Sequence, residues 1–142
     1  MRTLVIVKPD GVKRGLVGEC IKRFERYGIK IAGLKILSAG KQRAEKLYAI
    51  HKGKPFYNDL INYITSGPIA VIILDANLPA EDAIKLVRKI VGATNPLNAE
   101  MASIRGDYGM EMSENIVHAS DSKESADYEI AIFFEESELV EY

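Results

Sequence analysis

The sequence predicts an α+β fold, a four-stranded antiparallel sheet with helices on its surface. Three observations lead there. Ile69-Ala-Val-Ile-Ile-Leu74 is an unbroken apolar run of the kind found in a strand buried on both faces. Short β-branched runs alternate along the chain with stretches whose apolar residues recur every three or four positions. Finally, 142 residues that are 47% hydrophobic and 27% charged are enough for one packed unit, so a single domain over 1–142 is expected.

Thr3-Leu-Val-Ile-Val7 reads as the first strand, closed by turn chemistry at Lys8-Pro9-Asp10-Gly11. Val17, Cys20, Ile21 and Phe24 then fall on one helical face, and Gly28 is placed to end that helix. From Ile29 to Ser38 the residues alternate, which predicts a second strand with Ala32, Leu34 and Ile36 on one face. Two short helices follow, one over Ala44 to Ile50 and one carried by Phe56, Leu60, Tyr63 and Ile64. Ser66-Gly67-Pro68 breaks the pattern before the apolar third strand. Ala80, Ala83, Ile84, Val87 and Val91 define another helix with Gly92 as its stop. From Gly92 to about Glu114 no period is sustained, and unpatterned segments of such length inside a compact fold tend to be functional. Asn115 to His118 reads as a short strand. Asp121 and Glu124 have the spacing of a capping box opening a last helix with the stripe Ala126, Ile130, Phe133 and Phe134. The acidic tail from Glu135 to Tyr142 is expected on the surface. The resulting order contains βαββαβ, the split arrangement of ferredoxin-like folds, with helices covering one face of the sheet.

Composition excludes several classes of function. Nineteen Lys and Arg against twenty Asp and Glu leave a charge of −1, so no global basic field is available to hold a nucleic-acid backbone. One cysteine, Cys20, excludes a disulfide framework and a cysteine-based zinc site. No apolar run reaches the length of a membrane span, and Met1-Arg-Thr-Leu-Val-Ile-Val-Lys8 is too short an apolar stretch for a signal peptide. The expectation is a soluble, cytoplasmic protein.

The sharpest chemical candidate is His118, at the junction of a strand and a capped helix. Glu129, two turns into that helix, lies on a face with small Ser122, Ser125 and Ala126, which lets its carboxylate reach back to the imidazole; Ser120 offers a hydroxyl nearby. A partner on one ring nitrogen fixes the tautomer and leaves the other nitrogen as a nucleophile. Lys8, Arg88 and Arg105 are individually ordinary, as strand-end, helix-end and loop charges. Beside a nucleophilic histidine they point to an anionic substrate, because phosphoryl transfer is catalysed mainly by positioning and charge. Thr94 and Asn95 suit either a helix cap or phosphate donors. His51, without a paired ligand, reads as a surface residue. Gly28-Ile-Lys-Ile-Ala-Gly33 has Walker-like glycine spacing, but Leu34-Lys35 follows and the segment alternates like a strand, so it is no phosphate loop.

These residues sit within a longer series: Lys8-Pro-Asp-Gly-Val12, Arg14-Gly-Leu-Val-Gly18, Arg23-Phe-Glu25, Pro55-Phe56, Ser66-Gly-Pro68, Arg88, Gly92-Ala-Thr-Asn-Pro96, Ile104-Arg-Gly-Asp107, Asn115-Ile-Val-His118 with Ser120-Asp121, and Glu124-Ser-Ala126. In this order and spacing the chain resembles nucleoside diphosphate kinases from Thr3 to Tyr142. The resemblance implies a ping-pong exchange: His118 takes the γ-phosphate of a nucleoside triphosphate, typically ATP, holds it as phosphohistidine, and passes it to a nucleoside diphosphate. It implies Lys8 and Asn115 on the sugar, with Lys8 also on phosphate, and Arg88, Thr94 and Arg105 on the β- and γ-phosphates. Tyr48 would lie near the histidine, Phe56 on the base with Met112 on its other face, and Ser120 and Glu129 would orient the ring. Magnesium would ride on the nucleotide, with no protein metal site. Members assemble as hexamers or tetramers built from dimers, and an exposed strand edge such as Ile29–Ser38 would serve pairing. The chain departs from the common pattern at Ala119 for glycine, Ala102-Ser103 for Gly-Thr, Leu47 for histidine, and a few extra residues around Asn77-Leu-Pro79. The alternative is a ferredoxin-like regulatory module that holds a nucleotide without turning it over.

Overall fold

Alternating side chains in β1 (Arg2–Val7) send Leu4 and Ile6 to one face of the sheet and Val5 and Val7 to the other, and all four are fully buried. Such a strand needs a covered layer on both sides, and the computed structural model, which describes residues 1–142, supplies it. The sheet order is β2-β3-β1-β4, antiparallel throughout, formed by β1 with β2 (Lys30–Leu37), β3 (Ile69–Asp75) and β4 (Val117–Ala119). This is the expected split βαββαβ topology. Helices lie on both faces rather than the single face expected. α2 (Val17–Glu25) and α5 (Ala80–Val91) pack Cys20, Phe24, Ala83 and Val87 against Val5, Val7, Ile72 and Leu74. α3 (Gly40–Leu47), α4 (Tyr57–Ile64) and α7 (Lys123–Phe133) enclose Leu4, Ile6, Val71 and Ile73 on the other.

Two helices stand where turn or unpatterned chain was expected. α1 (Pro9–Lys13) begins directly at the end of β1, with proline at its first position, where a missing N–H costs nothing. A Cβ on Gly11 would sit 2.7 Å from the Val7 side chain and 2.9 Å from that of Ile116, so only glycine lets α1 lie this close to the sheet. α6 (Ile104–Tyr108) opens on Ser103, whose hydroxyl accepts from the Gly106 amide at 3.0 Å.

Two further expectations are corrected. The register of β2 shifts between Ile31 and Gly33, so the extra residue turns Ala32 away from the face that carries Leu34 and Ile36. The last helix is capped by Ser122, which accepts from the Ser125 amide, and Asp121 instead accepts from the Ser125 hydroxyl. The acidic tail is exposed over Glu136–Glu138, but it then returns to the sheet: the Val140 amide donates to Ala32 O at 2.9 Å.

Candidate active site

His118 is the middle residue of β4 and pairs with Ile6, which turns its ring towards the α3, α4 and α7 side of the sheet. Glu129, on α7, meets it there. The Glu129 Oε1 lies 2.6 Å from His118 Nε2 and accepts from the Ser120 hydroxyl at 2.9 Å. A carboxylate only accepts, so Nε2 carries the proton and Nδ1 keeps its lone pair. Glu129 is 7% exposed, and the small residues before it leave its path to the ring clear. Tyr48, at the end of α3, stands edge-on to the imidazole with ring centroids 6.5 Å apart. Its hydroxyl is pushed up to about 12 by burial and by the Glu129 charge.

The backbone before His118 is unusual. Ile116 has φ +74°, and the Val117 amide donates to Asn115 O at 2.8 Å across it, a γ-turn of the rare left-handed kind. For a β-branched residue that conformation costs on the order of 1–3 kcal/mol, so the surroundings must hold it. Arg105 does part of this. It lies on α6 at 6% exposure, and its guanidinium donates to Asn115 O at 3.2 Å, Gly92 O at 3.0 Å and Val117 O at 2.5 Å. It is a buried anchor rather than a loop charge. Burial and the neighbouring Arg88 lower it to about 10, which leaves it cationic at neutral pH. Gly92 ends α5 at φ +93°, and a Cβ there would fall 2.4 Å from Ser103 Oγ, so glycine alone lets α5 meet the start of α6.

Lys8 closes β1 with its ammonium bonded to Asn115 Oδ1, while Asn115 Nδ2 donates to Thr94 O at 2.8 Å. Burial lowers Lys8 to about 8, against the opposing pull of Asp10 and with a further push from Arg105. Arg88 extends from α5 and donates to Ala119 O at 3.2 Å. Asn95 caps the 3₁₀ turn Pro96–Asn98, accepting from the Leu97 amide, whereas Thr94 is exposed at the cleft.

Lys8, Tyr48, Phe56, Arg88, Thr94, Arg105, Met112, Asn115, His118 and Glu129 all line one cleft of about 500 Å³, and Ser120 stands behind Glu129. Phe56 and Met112 are both exposed on its walls. The sequence reading missed His51, which also lines the cleft, with its ring 5.3 Å from Phe56 and Nδ1 3.2 Å from Lys54 Nζ. Nothing in the spacing of Ile50-His-Lys-Gly-Lys54 marked it, because the 3₁₀ turn Ala49–His51 is what brings it round. It missed Asp10 and Tyr63 as well. The Tyr63 hydroxyl donates to Asp10 Oδ1, and Asp10 Oδ2 accepts from the Ile116 amide at 3.0 Å. Ala119 has no positive φ and is tolerated where glycine is common; Ala102 sits at φ +75°, held by Arg23 on its carbonyl and Asp107 on its amide.

A family model for nucleoside diphosphate kinase matches residues 1–139. The chain belongs to the nucleoside diphosphate kinase family. It is 52% identical over 141 residues to the nucleoside diphosphate kinase of Thermosipho africanus, covering 99% of this chain and 93% of the relative. It is 48% identical over 138 residues to that of Saccharolobus solfataricus, with 97% of each chain covered. Among solved structures, the nucleoside diphosphate kinase of Halobacterium salinarum in complex with CDP superposes with TM-score 0.93 at 40% identity, covering 100% of this chain and 92% of that one. A nucleoside diphosphate kinase family protein from Babesia bovis gives 0.93 at 42% identity, with 99% and 93% covered. The fold and the enzyme class are thus those of the family, a phosphotransferase; these matches do not favour the non-catalytic module.

Proposed function

We propose that the chain moves the terminal phosphate of a nucleoside triphosphate to a nucleoside diphosphate through His118. One observation carries the residue assignment: Glu129 holds the proton on Nε2 and leaves Nδ1 free in a cleft that also presents Arg88 and Arg105. The base enters between Phe56 and Met112, and stacking accepts any base because every base has a π-face. The sugar meets Lys8 and Asn115, and the phosphates meet Arg88, Thr94 and Arg105. Nδ1 attacks the γ-phosphorus; the N–P bond forms as the bond to the bridging oxygen breaks, and the diphosphate departs with that electron pair. Ser120 and Glu129 keep the imidazole aimed and stabilise its positive charge, and Tyr48 shields the reacting edge from water. A second diphosphate then reverses the step.

Magnesium is assigned to the nucleotide phosphates, in keeping with its preference for phosphate oxygens and water over an all-protein cage. Bound there, magnesium would supply charge neutralisation on the transferring group. One domain over 1–142 contains every residue named. We assign the enzyme to the cytoplasm; no helix is long and apolar enough to cross a membrane. We assign it to a homo-oligomer, hexamer or tetramer, paired through the β2 edge, where Leu34 and Ile36 are exposed.

Incubation with γ-labelled ATP and magnesium tests the route. The expected product is an acid-labile, alkali-stable label on the protein, removed by a diphosphate of another base. His118→Gln is expected to abolish the label while nucleotide affinity persists. A label that survives this substitution would move the nucleophile elsewhere.

A further inference from the structure

From the Asn115 carbonyl to the Val117 carbonyl, the turn that aims His118 presents five backbone hydrogen-bonding groups, and four of them find backbone or Arg105 partners. Asn115 O accepts from the Val117 amide and Arg105 Nε, Ile116 O accepts from the Lys8 amide at 2.7 Å, and Val117 O accepts from Arg105 Nη2. The remaining group, the Ile116 amide, depends on a side chain distant in sequence, Asp10 on α1. That carboxylate is itself fixed at both ends of one contact: the Tyr63 hydroxyl donates to Asp10 Oδ1, and the Asp10 amide donates to the Tyr63 oxygen at 3.0 Å. Tyr63 comes from α4, so α1 directly and α4 through it bear on the one residue of the site held at a strained φ.

We infer that Asp10 and Tyr63 are positioning residues for phosphoryl transfer: their clamp on the Ile116 amide holds the left-handed turn, and the turn sets the line along which His118 faces the nucleotide. The inference rests on His118 as nucleophile and adds residues that touch neither substrate nor imidazole. Without the clamp the Ile116 amide is left buried and unpaired, and the turn relaxes towards φ values that a β-branched residue prefers. His118, two residues on, then loses its line while remaining a competent imidazole. A rival account is that Asp10 acts by charge, since its carboxylate also pulls electrostatically on the Lys8 ammonium. The two accounts separate, because asparagine keeps an oxygen for the Ile116 amide and removes the charge.

The experiment is single-turnover phosphorylation by saturating ATP and magnesium, read by intact mass with peptide mapping, on full-length protein. ADP affinity, thermal midpoint and phosphorylation by phosphoramidate, a small donor that needs no nucleotide alignment, are measured alongside. Asp10→Ala is expected to slow transfer from ATP at least tenfold, with ADP affinity and the phosphoramidate rate each within threefold of wild type. Asp10→Asn is expected to recover transfer to within threefold, and Tyr63→Phe to lose about threefold. Equal loss in Asp10→Asn and Asp10→Ala would overturn the inference in favour of charge, and equal loss with both donors would reduce the clamp to general stability. Should Asp10→Ala not fold, Tyr63→Phe decides alone, and an unchanged rate there overturns the clamp. Mapping the wild-type label to any residue but His118 is a different failure, that of the underlying assignment, and is visible before any variant is made.

Discussion

Lys8 carries a residue-scale consequence that can be read from pH alone. Its buried ammonium loses its proton near pH 8 instead of the ordinary 10.5, so the free enzyme begins to lose a cation from the cleft just above neutrality. A polyphosphate favours the protonated form, so nucleotide binding takes up a proton above that pH and weakens as pH rises. The expected profile of kcat/KM has an alkaline limb near pH 8. Lys8→Arg keeps its charge through this pH range even when buried, as Arg105 does, so it should erase the limb even where its longer fork lowers the rate. A limb that persists in the arginine variant would assign that titration to another group. At this scale the sequence was most informative about placement, setting Glu129 against the His118 ring and Arg88 at the same cleft. It was silent on Asp10 and Tyr63, whose contact joins residues far apart in the chain and follows no local pattern. For Arg105 it gave no sign of burial, because nothing local distinguishes a loop cation from one that also anchors three carbonyls.

Among the elements, β1 holds an identifiable defect. Thr3 is fully buried, and its hydroxyl has no hydrogen-bond partner. Valine has nearly the same shape and no polar atom to desolvate, so Thr3→Val is expected to stabilise the fold by about 1 kcal/mol. The check is a thermal or urea midpoint raised with the cleft intact; a lowered midpoint would mean that the hydroxyl has a partner in solution. The same strand was easy to read, as were β3, α5 and α7, because each is long enough to repeat its period and is buried accordingly. α1 and α6 were not legible. Each has only five residues, so neither completes an amphipathic repeat, and each is defined by what caps or abuts it. β2 shows a third kind of limit: its alternation predicted a strand correctly, yet a bulge at Ala32 reset which face Leu34 and Ile36 occupy.

For the molecule as a whole, β2 is the exposed edge of the sheet, and its cover is partial. The returning tail reaches its first half, where the Ile31 amide donates to the Tyr142 hydroxyl at 3.0 Å and Ala32 O accepts from Val140. Beyond the bulge, Leu34 is 49% and Ile36 64% exposed, with Tyr27 exposed at the end of the neighbouring helix. An apolar edge of this kind is a template for another strand, and the pairing proposed above is with a second copy, always present at matching concentration and antiparallel across a two-fold axis. Ile36→Asp places a charge in that seam and is expected to reduce the particle to a smaller multiple of the 15.7 kDa chain in sedimentation velocity. The residues assigned to nucleotide and phosphate lie on the same chain as His118, so turnover per chain is expected to survive within a few-fold, while the thermal midpoint falls and loses its dependence on concentration. A wild-type protein sedimenting as the single chain would reject this interface. A variant that dissociates and also loses its activity would place part of the catalytic geometry under the control of assembly, with the turn at Ile116 as the element to inspect first.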